Sequence, residues 1–169
     1  AAVAPNLVVE QLTVPGPPTS SDIRCAGWAE AVALLAAARG EVGTVLSPDG
    51  AFATAEVSSE RIWVTVRCGK PLDETVLRSY CVGAAHMAYS LVTSESLVVD
   101  KDGCIHNLSI RSFGVVRAID TPKVEIVVEE DERDSVNGSD AVFAAVAAAT
   151  WLHCGTPGSW PTGLQAAKK

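Results

Sequence analysis

Aromatic side chains and clustered positive charges are both scarce in this 169-residue chain. Phe, Trp and Tyr make up 5% of the residues, and 13 Lys and Arg stand against 20 Asp and Glu, for a formal net charge of −7. The acid is concentrated in residues 129–134. Nucleic-acid binding requires clustered Lys and Arg against the phosphates, so the composition argues against that class. The acidic run itself is typical of a solvated loop.

Cysteine and histidine residues with ligand spacing are also missing. The sequence contains no CxxC pair, and the histidines and cysteines together show no spacing typical of metal ligands. The cysteines are Cys25, Cys68, Cys81, Cys104 and Cys154, and the histidines are His86, His106 and His153. Scattered cysteines in apolar surroundings indicate reduced, buried thiols of a cytosolic protein. We therefore predict no zinc site.

Long hydrophobic runs are absent as well. No stretch approaches the roughly 18–20 apolar residues that cross a bilayer. The N-terminal residues AAVAPNLVVEQLTV contain no basic segment, so the sequence predicts no signal peptide. We expect a cytoplasmic protein.

Alanine and valine supply most of the 48% of residues that are hydrophobic, which is enough for one packed domain. Helical spacing of apolar residues predicts three main helices, over about 23–39, 73–93 and 139–153. These helices are apolar nearly all round, which favours burial on several sides and a surface for a partner.

Alternating apolar residues predict the strands. AFATAEV and RIWVTVRC form one hairpin, SLVVD and CIHNLSI form a second around Lys101-Asp102-Gly103, and a further strand spans 123–130. The fold class is therefore predicted as α+β, with largely antiparallel hairpins and three helices on one side. We divide the chain into an extended arm (1–20), a single α+β domain (21–155) and a Gly/Pro-rich tail (156–169), from which Trp160 packs back.

A strand, a polar loop and a helix in residues 110–151 organise the rest of the chain. At the junction before the helix, Asn137 or Ser139 can cap the free amides, and Asp140 suits the positive end of the helix dipole. A loop that brings a polar side chain to a helix N-terminus can also bring it to an active site.

The order of these motifs resembles a known family. A hairpin, the Gly69-Lys70-Pro71 loop, a helix rich in small residues, a hairpin around DKDG, the phrase RAIDTPKVEIVVEED and a Gly-containing loop before an Ala-rich helix follow one another over residues 51–152. This order is similar to the C-terminal part of the molybdopterin-binding subunit of molybdenum hydroxylases, the xanthine dehydrogenase and aldehyde oxidoreductase family. The resemblance implies the C-terminal layer of that cofactor domain.

Two departures from the family pattern concern its cofactor and its base. The family has a Gln followed after two residues by paired glycines, where this chain has Tyr80 and then Gly83 and Ala84. Ser139 stands where the family has the Glu of its G-x-G-E motif, and a hydroxyl cannot take that proton at neutral pH. The resemblance thus implies no catalytic residue, and it implies cofactor contacts from Tyr80, Gly83, Asn137, Gly138 and Ser139.

These residues lead to a first functional hypothesis. The chain is a small, non-catalytic subunit of a molybdenum hydroxylase, an oxidoreductase. It would complete and shield the molybdopterin domain of a larger catalytic chain, with iron–sulfur clusters and FAD on other subunits. The reaction implied by the resemblance is hydroxylation of an aldehyde or N-heterocycle by water.

Two alternatives belong to other classes. One is a non-catalytic α+β binding or regulatory module that descends from the same fold. The other is a small hydrolase that uses Ser139 with His86 or His153. A straight helix would separate Ser139 and His153 by about 20 Å, which leaves that pair without contact.

Overall fold

The computed structural model describes residues 21–163. The predicted arm, residues 1–20, and the end of the predicted tail, residues 164–169, lie outside the described residues. The division into arm, domain and tail therefore stays a prediction.

The described chain is an α+β structure, which confirms the predicted class. Its elements in chain order are α1 (Ser21–Arg39), β1 (Val45–Leu46), β2 (Phe52–Val57), β3 (Arg61–Arg67), α2 (Glu74–Thr93), α3 (Ile110–Phe113), a 3-10 turn (Ala118–Asp120), β4 (Lys123–Val128) and α4 (Ser139–His153). The three long helices are the three that the apolar spacing predicts. Asp73 begins α2 by accepting the amides of Thr75 and Val76 at 2.8 and 3.1 Å.

The four strands form one mixed sheet in the order β1-β2-β3-β4. The pairing of β2 with β3 is antiparallel, as predicted for the first hairpin. The short strand β1, which was not predicted, also pairs antiparallel with β2. The pairing of β3 with β4 is parallel, which the sequence analysis did not anticipate. The connection between β3 and β4 contains α2, and a crossover through a helix returns the chain to run in the same direction.

The second predicted hairpin is reduced to one antiparallel bridge, between Val99 and Ile105. Its apolar side chains remain largely exposed, at 54% for Val99 and 42% for Ile105. Because a short ladder gains little without a buried face, we attribute the loss of the remaining pairs to this exposure.

Helix α4 lies at the centre of the molecule, between α1, α2 and the sheet. Eight residues of this helix are at most 6% exposed: Ala141, Val142, Ala144, Ala145, Val146, Ala147, Ala148 and Ala149. Side chains of this size let neighbouring backbones approach closely. The sheet turns Ile62, Val64 and Val66 of β3 toward this helix layer, all at 0% exposure.

The end of the described chain packs back onto the helices, as predicted for Trp160. The Trp160 and Trp151 rings meet edge to face, with centroids 5.9 Å apart. The Trp151 indole donates to the Pro157 carbonyl at 3.0 Å, and the Thr162 amide donates to the Val92 carbonyl at 2.8 Å. Within residues 21–163, no helix combines the length and apolarity that crossing a membrane requires.

The packing around α4 makes a prediction about side-chain size. Ala145→Leu should lower the free energy of unfolding by about 1–3 kcal/mol, because the site is fully buried and extra methylenes strain a filled core. Ala31→Leu, on the exposed side of α1, should change it by less than about 0.5 kcal/mol. Urea denaturation measures both, and equal effects would show that α4 is not closely packed.

Candidate functional site at the carboxyl ends of the parallel strands

Strands β3 and β4 run in the same direction, so both end at one edge of the sheet. Residues 68–73 lead from β3 into α2, and residues 129–138 lead from β4 into α4. The free amides of both helix N-termini therefore lie near this edge. Ligands of open α/β sheets commonly bind outside the carboxyl ends of parallel strands. This edge, formed by the carboxyl ends of β3 and β4 and distinct from the outer side of β4, is the candidate site.

Backbone hydrogen bonds join the two loops. The Val136 amide donates to the Cys68 carbonyl at 2.9 Å, and the Lys70 amide donates to the Arg133 carbonyl at 3.0 Å. Gly69 has φ +79°, and a Cβ on it would lie 2.1 Å from the Asp134 carbonyl oxygen. Only glycine allows the two backbones to approach this closely.

An aspartate and an arginine hold the loop after β4. The Asp131 carboxylate accepts the Gly69 amide at 3.0 Å and the Arg133 Nε at 2.9 Å. Arg133 also donates to the Gly50 carbonyl at 3.0 Å and lies over the Phe52 ring, 5.2 Å from its centroid. The hydrogen bond from Arg133 holds the pKa of Asp131 well below its usual range, and the Gly69 amide adds to this effect.

The Asp131 side chain is only 6% exposed. The prediction that residues 129–134 are a solvated loop is therefore wrong for this residue. Its neighbours Glu129, Glu130, Glu132 and Asp134 are exposed, as predicted.

Of the two residues expected to cap α4, Asn137 accepts a helical amide and Ser139 does not. Asn137 Oδ1 accepts the Ser139 amide at 3.0 Å and the Ser139 hydroxyl at 2.7 Å. Asn137 thus satisfies the first helical amide, whereas Ser139 only donates to Asn137. The residue in the capping position is Gly138, which has no side chain to offer.

Gly138 is buried against the end of β3. A Cβ there would lie 3.0 Å from Cys68 Sγ and 3.2 Å from Val66 Cγ2. Its small size serves the packing of the loop onto the strand. This contact closes one side of Gly138 to any ligand.

Tyr80 lies on a shallow groove of about 180 Å³ between the start of α2 and the loop before α4. Its side chain is 66% exposed. The residues that line the groove are Cys68, Pro71, Leu72, Asp73, Val76, Leu77, Tyr80, Ser135 and Val136. Of the five residues implied by the family resemblance, only Tyr80 lines it. Asn137, Gly138 and Ser139 directly follow Val136, which lines the groove. Gly83 lies about one turn beyond Tyr80 on α2.

Sequence reasoning missed most of the groove residues, although one signal was readable. Leu72, Val76 and Tyr80 are spaced four residues apart, Leu72 just before α2 and the other two on the side of α2 away from its core stripe. Their exposures are 99%, 49% and 66%. A row of exposed apolar side chains at helical spacing indicates a surface for a partner.

The thiols near this edge are unreactive. Burial, and secondarily the charge of Asp131, raises the pKa of Cys68. Burial is also the main cause that raises the pKa of Cys81, to about 11. Both thiols therefore stay protonated at neutral pH and supply no thiolate. Across residues 21–163, no group of three His, Cys, Asp or Glu side chains has the arrangement of a metal site.

The alternative of a hydrolase receives no support from these contacts. The Ser139 hydroxyl donates to Asn137 Oδ1, so it is directed to an amide oxygen. His86 Nδ1 lies 2.9 Å from Thr121 Oγ1, on the other side of α2 from the groove residues. His86 thus has its partner on the segment before β4 and not at Ser139.

The groove at the start of α2 and the loop before α4 do not fit a complete molybdopterin. The groove is smaller than the roughly 300–1,000 Å³ of most small-molecule sites, and its lining is largely apolar. Gly138 is closed on one side by Cys68. What remains open is one wall, formed by Tyr80 and by the polar groups of Asn137 and Ser139.

Comparisons with known proteins give a partial match. No protein-family model matches the chain, and no curated protein matches it. Solved structures that match include a Cu,Mo-CO dehydrogenase in the carbon monoxide reduced state, with 15% identity and a TM-score of 0.45 over 59% of this chain and 14% of that one. Reconstituted CO dehydrogenase from Oligotropha carboxidovorans has 15% identity and a TM-score of 0.45, over 62% and 15%.

Quinoline 2-oxidoreductase from Pseudomonas putida 86 also matches. It has 15% identity and a TM-score of 0.48, over 61% of this chain and 15% of that one. The chain therefore spans 14–15% of the length of these three structures.

The Asp131 contact predicts a pH dependence. Its folded pKa lies below the unfolded value, so it adds stability above the ordinary pKa near 3.8, and this stability is lost as pH falls toward the folded value. Asp131→Asn should destabilise the protein at pH 7, and the difference from the parent should shrink below about pH 4. Urea denaturation at pH 7, 5 and 3 tests this, and a difference that is constant with pH would contradict it.

Two glycine-to-alanine variants compare the stability effect at a buried position before α4 with that at an open position on α2. Gly138→Ala should cost about 1–3 kcal/mol, because its Cβ meets Cys68 and Val66. Gly83→Ala should instead stabilise by about 0.5–1 kcal/mol, because alanine is the better helix former and its Cβ meets no atom within 4 Å. Thermal unfolding of both variants measures the sign. Destabilisation by Gly83→Ala would contradict the open position of that residue.

Proposed function

We propose that this chain is a non-catalytic part of a molybdenum hydroxylase complex. It supplies one wall of the molybdopterin domain, and a larger chain encloses the rest of the cofactor. One observation carries the proposal. The edge that holds the family-like loop is firmly built, yet it opens to a groove flanked by exposed apolar side chains.

The chemistry at Ser139 supports a role without catalysis. Ser139 occupies the place of the family's Glu, and its hydroxyl donates to Asn137. Nothing at this position can take a proton from a metal-bound water at neutral pH. In the proposed complex, the larger chain therefore supplies the base.

The distribution of exposed apolar residues supports a large partner. Leu72, Val76, Tyr80, Val82 and Met87 lie on or beside α2. A further set lies between α2 and β4 in the chain, comprising Leu97, Val98, Val99, Ile105, Leu108, Ile110, Val115 and Ile119. Groups of exposed apolar side chains commonly mark partner surfaces, so we assign these two sets to contacts with the larger chain.

The reaction of the proposed complex follows from the family resemblance. It is hydroxylation of an aldehyde or an N-heterocycle by water, with the electrons leaving through iron–sulfur clusters and FAD on other subunits. This chain contributes shape and hydrogen bonds at the cofactor wall. The contributing groups are Tyr80 on α2 and the Asn137–Ser139 turn at the start of α4.

The second candidate function is a binding or regulatory module without cofactor. Two observations favour it: the groove is small, and Gly138 is packed against Cys68. Under this alternative, the exposed surface of α2 binds a protein partner, and no molybdenum accompanies the chain.

Purification from the native source distinguishes the two. The eluted species is examined by native mass spectrometry and analysed for molybdenum, iron and flavin. Co-elution with a larger chain that carries these cofactors supports the subunit. Elution without metal, alone or with a metal-free partner, overturns the subunit proposal in favour of the module.

Variants of the groove test its role as a docking surface. Leu72→Asp and Tyr80→Asp each place a charge on the proposed contact, and each should reduce recovery of the larger chain by about tenfold or more, because burying an unpaired charge is costly. Leu34→Asp is the control, since Leu34 is 56% exposed on α1, away from the groove. Thermal unfolding of the isolated variants verifies that they are folded. Equal recovery with all three would contradict the assignment.

A further inference from the structure

Strand β4 is the last strand of the sheet, so one of its sides has no neighbouring strand. The Lys123 amide donates to the Glu60 carbonyl and the Glu129 amide donates to the Val66 carbonyl, both on the β3 side. Backbone groups alternate in direction along a strand. The N–H and C=O groups of Val124, Ile126 and Val128 therefore point away from β3, toward the side that has no neighbouring strand.

This outer edge lacks most of the usual protection. Edge strands are commonly shortened, bulged, or interrupted by proline or by inward charges. β4 has six residues with the sequence KVEIVV, and Val124, Ile126 and Val128 alternate without a charge on the core side. On the outer side, α2 packs against β4, and Arg78 Nη1 of α2 donates to the Ile126 carbonyl. Within residues 21–163, this contact with α2 is the protection that the edge has.

We propose that the outer edge of β4 pairs with the same edge of a second copy of this chain. The two strands run antiparallel, and Ile126 lies on the two-fold axis. The pairing joins two four-stranded sheets into one of eight strands. It goes beyond the proposed function, because it concerns a different surface from the groove and a different partner.

Charge complementarity selects this register. With Ile126 on the axis, Val124 faces Val128 of the second copy, and Lys123 faces Glu129 of the second copy. The symmetry repeats each contact, so the dimer contains two such ion pairs. Opposite charges directly across an antiparallel pair are stabilising.

The neighbouring registers are worse. An axis at Glu125 places Glu125 opposite Glu125 of the second copy, and an axis at Val127 places Glu125 opposite Glu129, so like charges face each other in both. An axis at Val124 places Pro122, which has no N–H, opposite Ile126 and interrupts the ladder. An axis at Val128 places Glu125 opposite Asp131 of the second copy, and two like charges then face each other. Only the register centred on Ile126 uses the whole strand without either fault.

The charged groups at both ends are available. The Lys123 side chain is 76% exposed and lies 2.7 Å from Glu125 on its own strand. Glu129 is exposed, and its carboxylate has no hydrogen bond or ion pair to another described residue. In the dimer, Lys123 lies between Glu125 of its own chain and Glu129 of the second copy.

Arg78 limits the pairing. Its hydrogen bond to Ile126 occupies the carbonyl at the centre of the proposed ladder, so it must release that oxygen before the strands join. Glu74 accepts Arg78 Nε at 2.9 Å and Nη2 at 2.6 Å, so the guanidinium keeps a partner after release. Dimerisation therefore competes with one hydrogen bond of the monomer.

Sedimentation velocity on the full 169-residue chain, over a range of concentrations at low salt, tests the proposal. The parent should dimerise reversibly. Lys123→Glu and Glu129→Lys should each raise the dissociation constant about tenfold, because each replaces two ion pairs by like-charge pairs. The double variant Lys123→Glu/Glu129→Lys should return it to within about threefold of the parent.

Two further variants complete the test. Arg61→Glu is the control, because it replaces a positive charge by a negative one, as Lys123→Glu does, on the residue of β3 that pairs with Lys123. It should leave the dissociation constant unchanged. Arg78→Met should tighten the dimer, because the Ile126 carbonyl is then free. A parent and an Arg78→Met variant that both stay monomeric would overturn the proposal. A dimer that neither Lys123→Glu nor Glu129→Lys weakens would also overturn it. So would a double variant whose dissociation constant does not return toward that of the parent.

Discussion

The close packing of α4 is the constraint on which the rest of the structure depends. Its alanine-rich surface contacts α1, α2 and the sheet, and most of its residues are fully buried. Small side chains make this possible, because they bring three elements within contact of one helix. Since α4 begins directly after the Asn137–Ser139 turn, the position of the candidate site follows from the position of this helix.

The parallel alignment of β3 and β4 then decides what can happen at the site. It brings both following loops to one edge, where the Gly69 amide donates to Asp131 and the Val136 amide donates to the Cys68 carbonyl, and these bonds hold the loops together. The result is a well-ordered wall with a shallow groove. A wall without the family's catalytic Glu agrees with a scaffold that a larger chain completes.

The exposed surfaces have different chemistry and fit different partners. The outer surface of α2 is apolar and lies beside the groove, so it suits an apolar surface of a protein partner. The edge of β4 offers backbone groups with a charge at each end, so it suits another strand. Arg78 lies between these two surfaces, since it extends from α2 to the Ile126 carbonyl.

Local sequence determined the α+β class, the three long helices and the first hairpin, because apolar spacing and capping residues such as Asp73 act within a few residues. Only the tertiary structure decided the parallel direction of β4, the burial of Asp131 within an acidic run, and the contact that closes Gly138. Each of these depends on residues far apart in the chain, such as Gly69 with Asp131, and no local pattern encodes such a contact. The family resemblance pointed to Tyr80 and the loop before α4, and the role of these residues stays a prediction. The groove residues required knowledge of which surface of α2 remains uncovered.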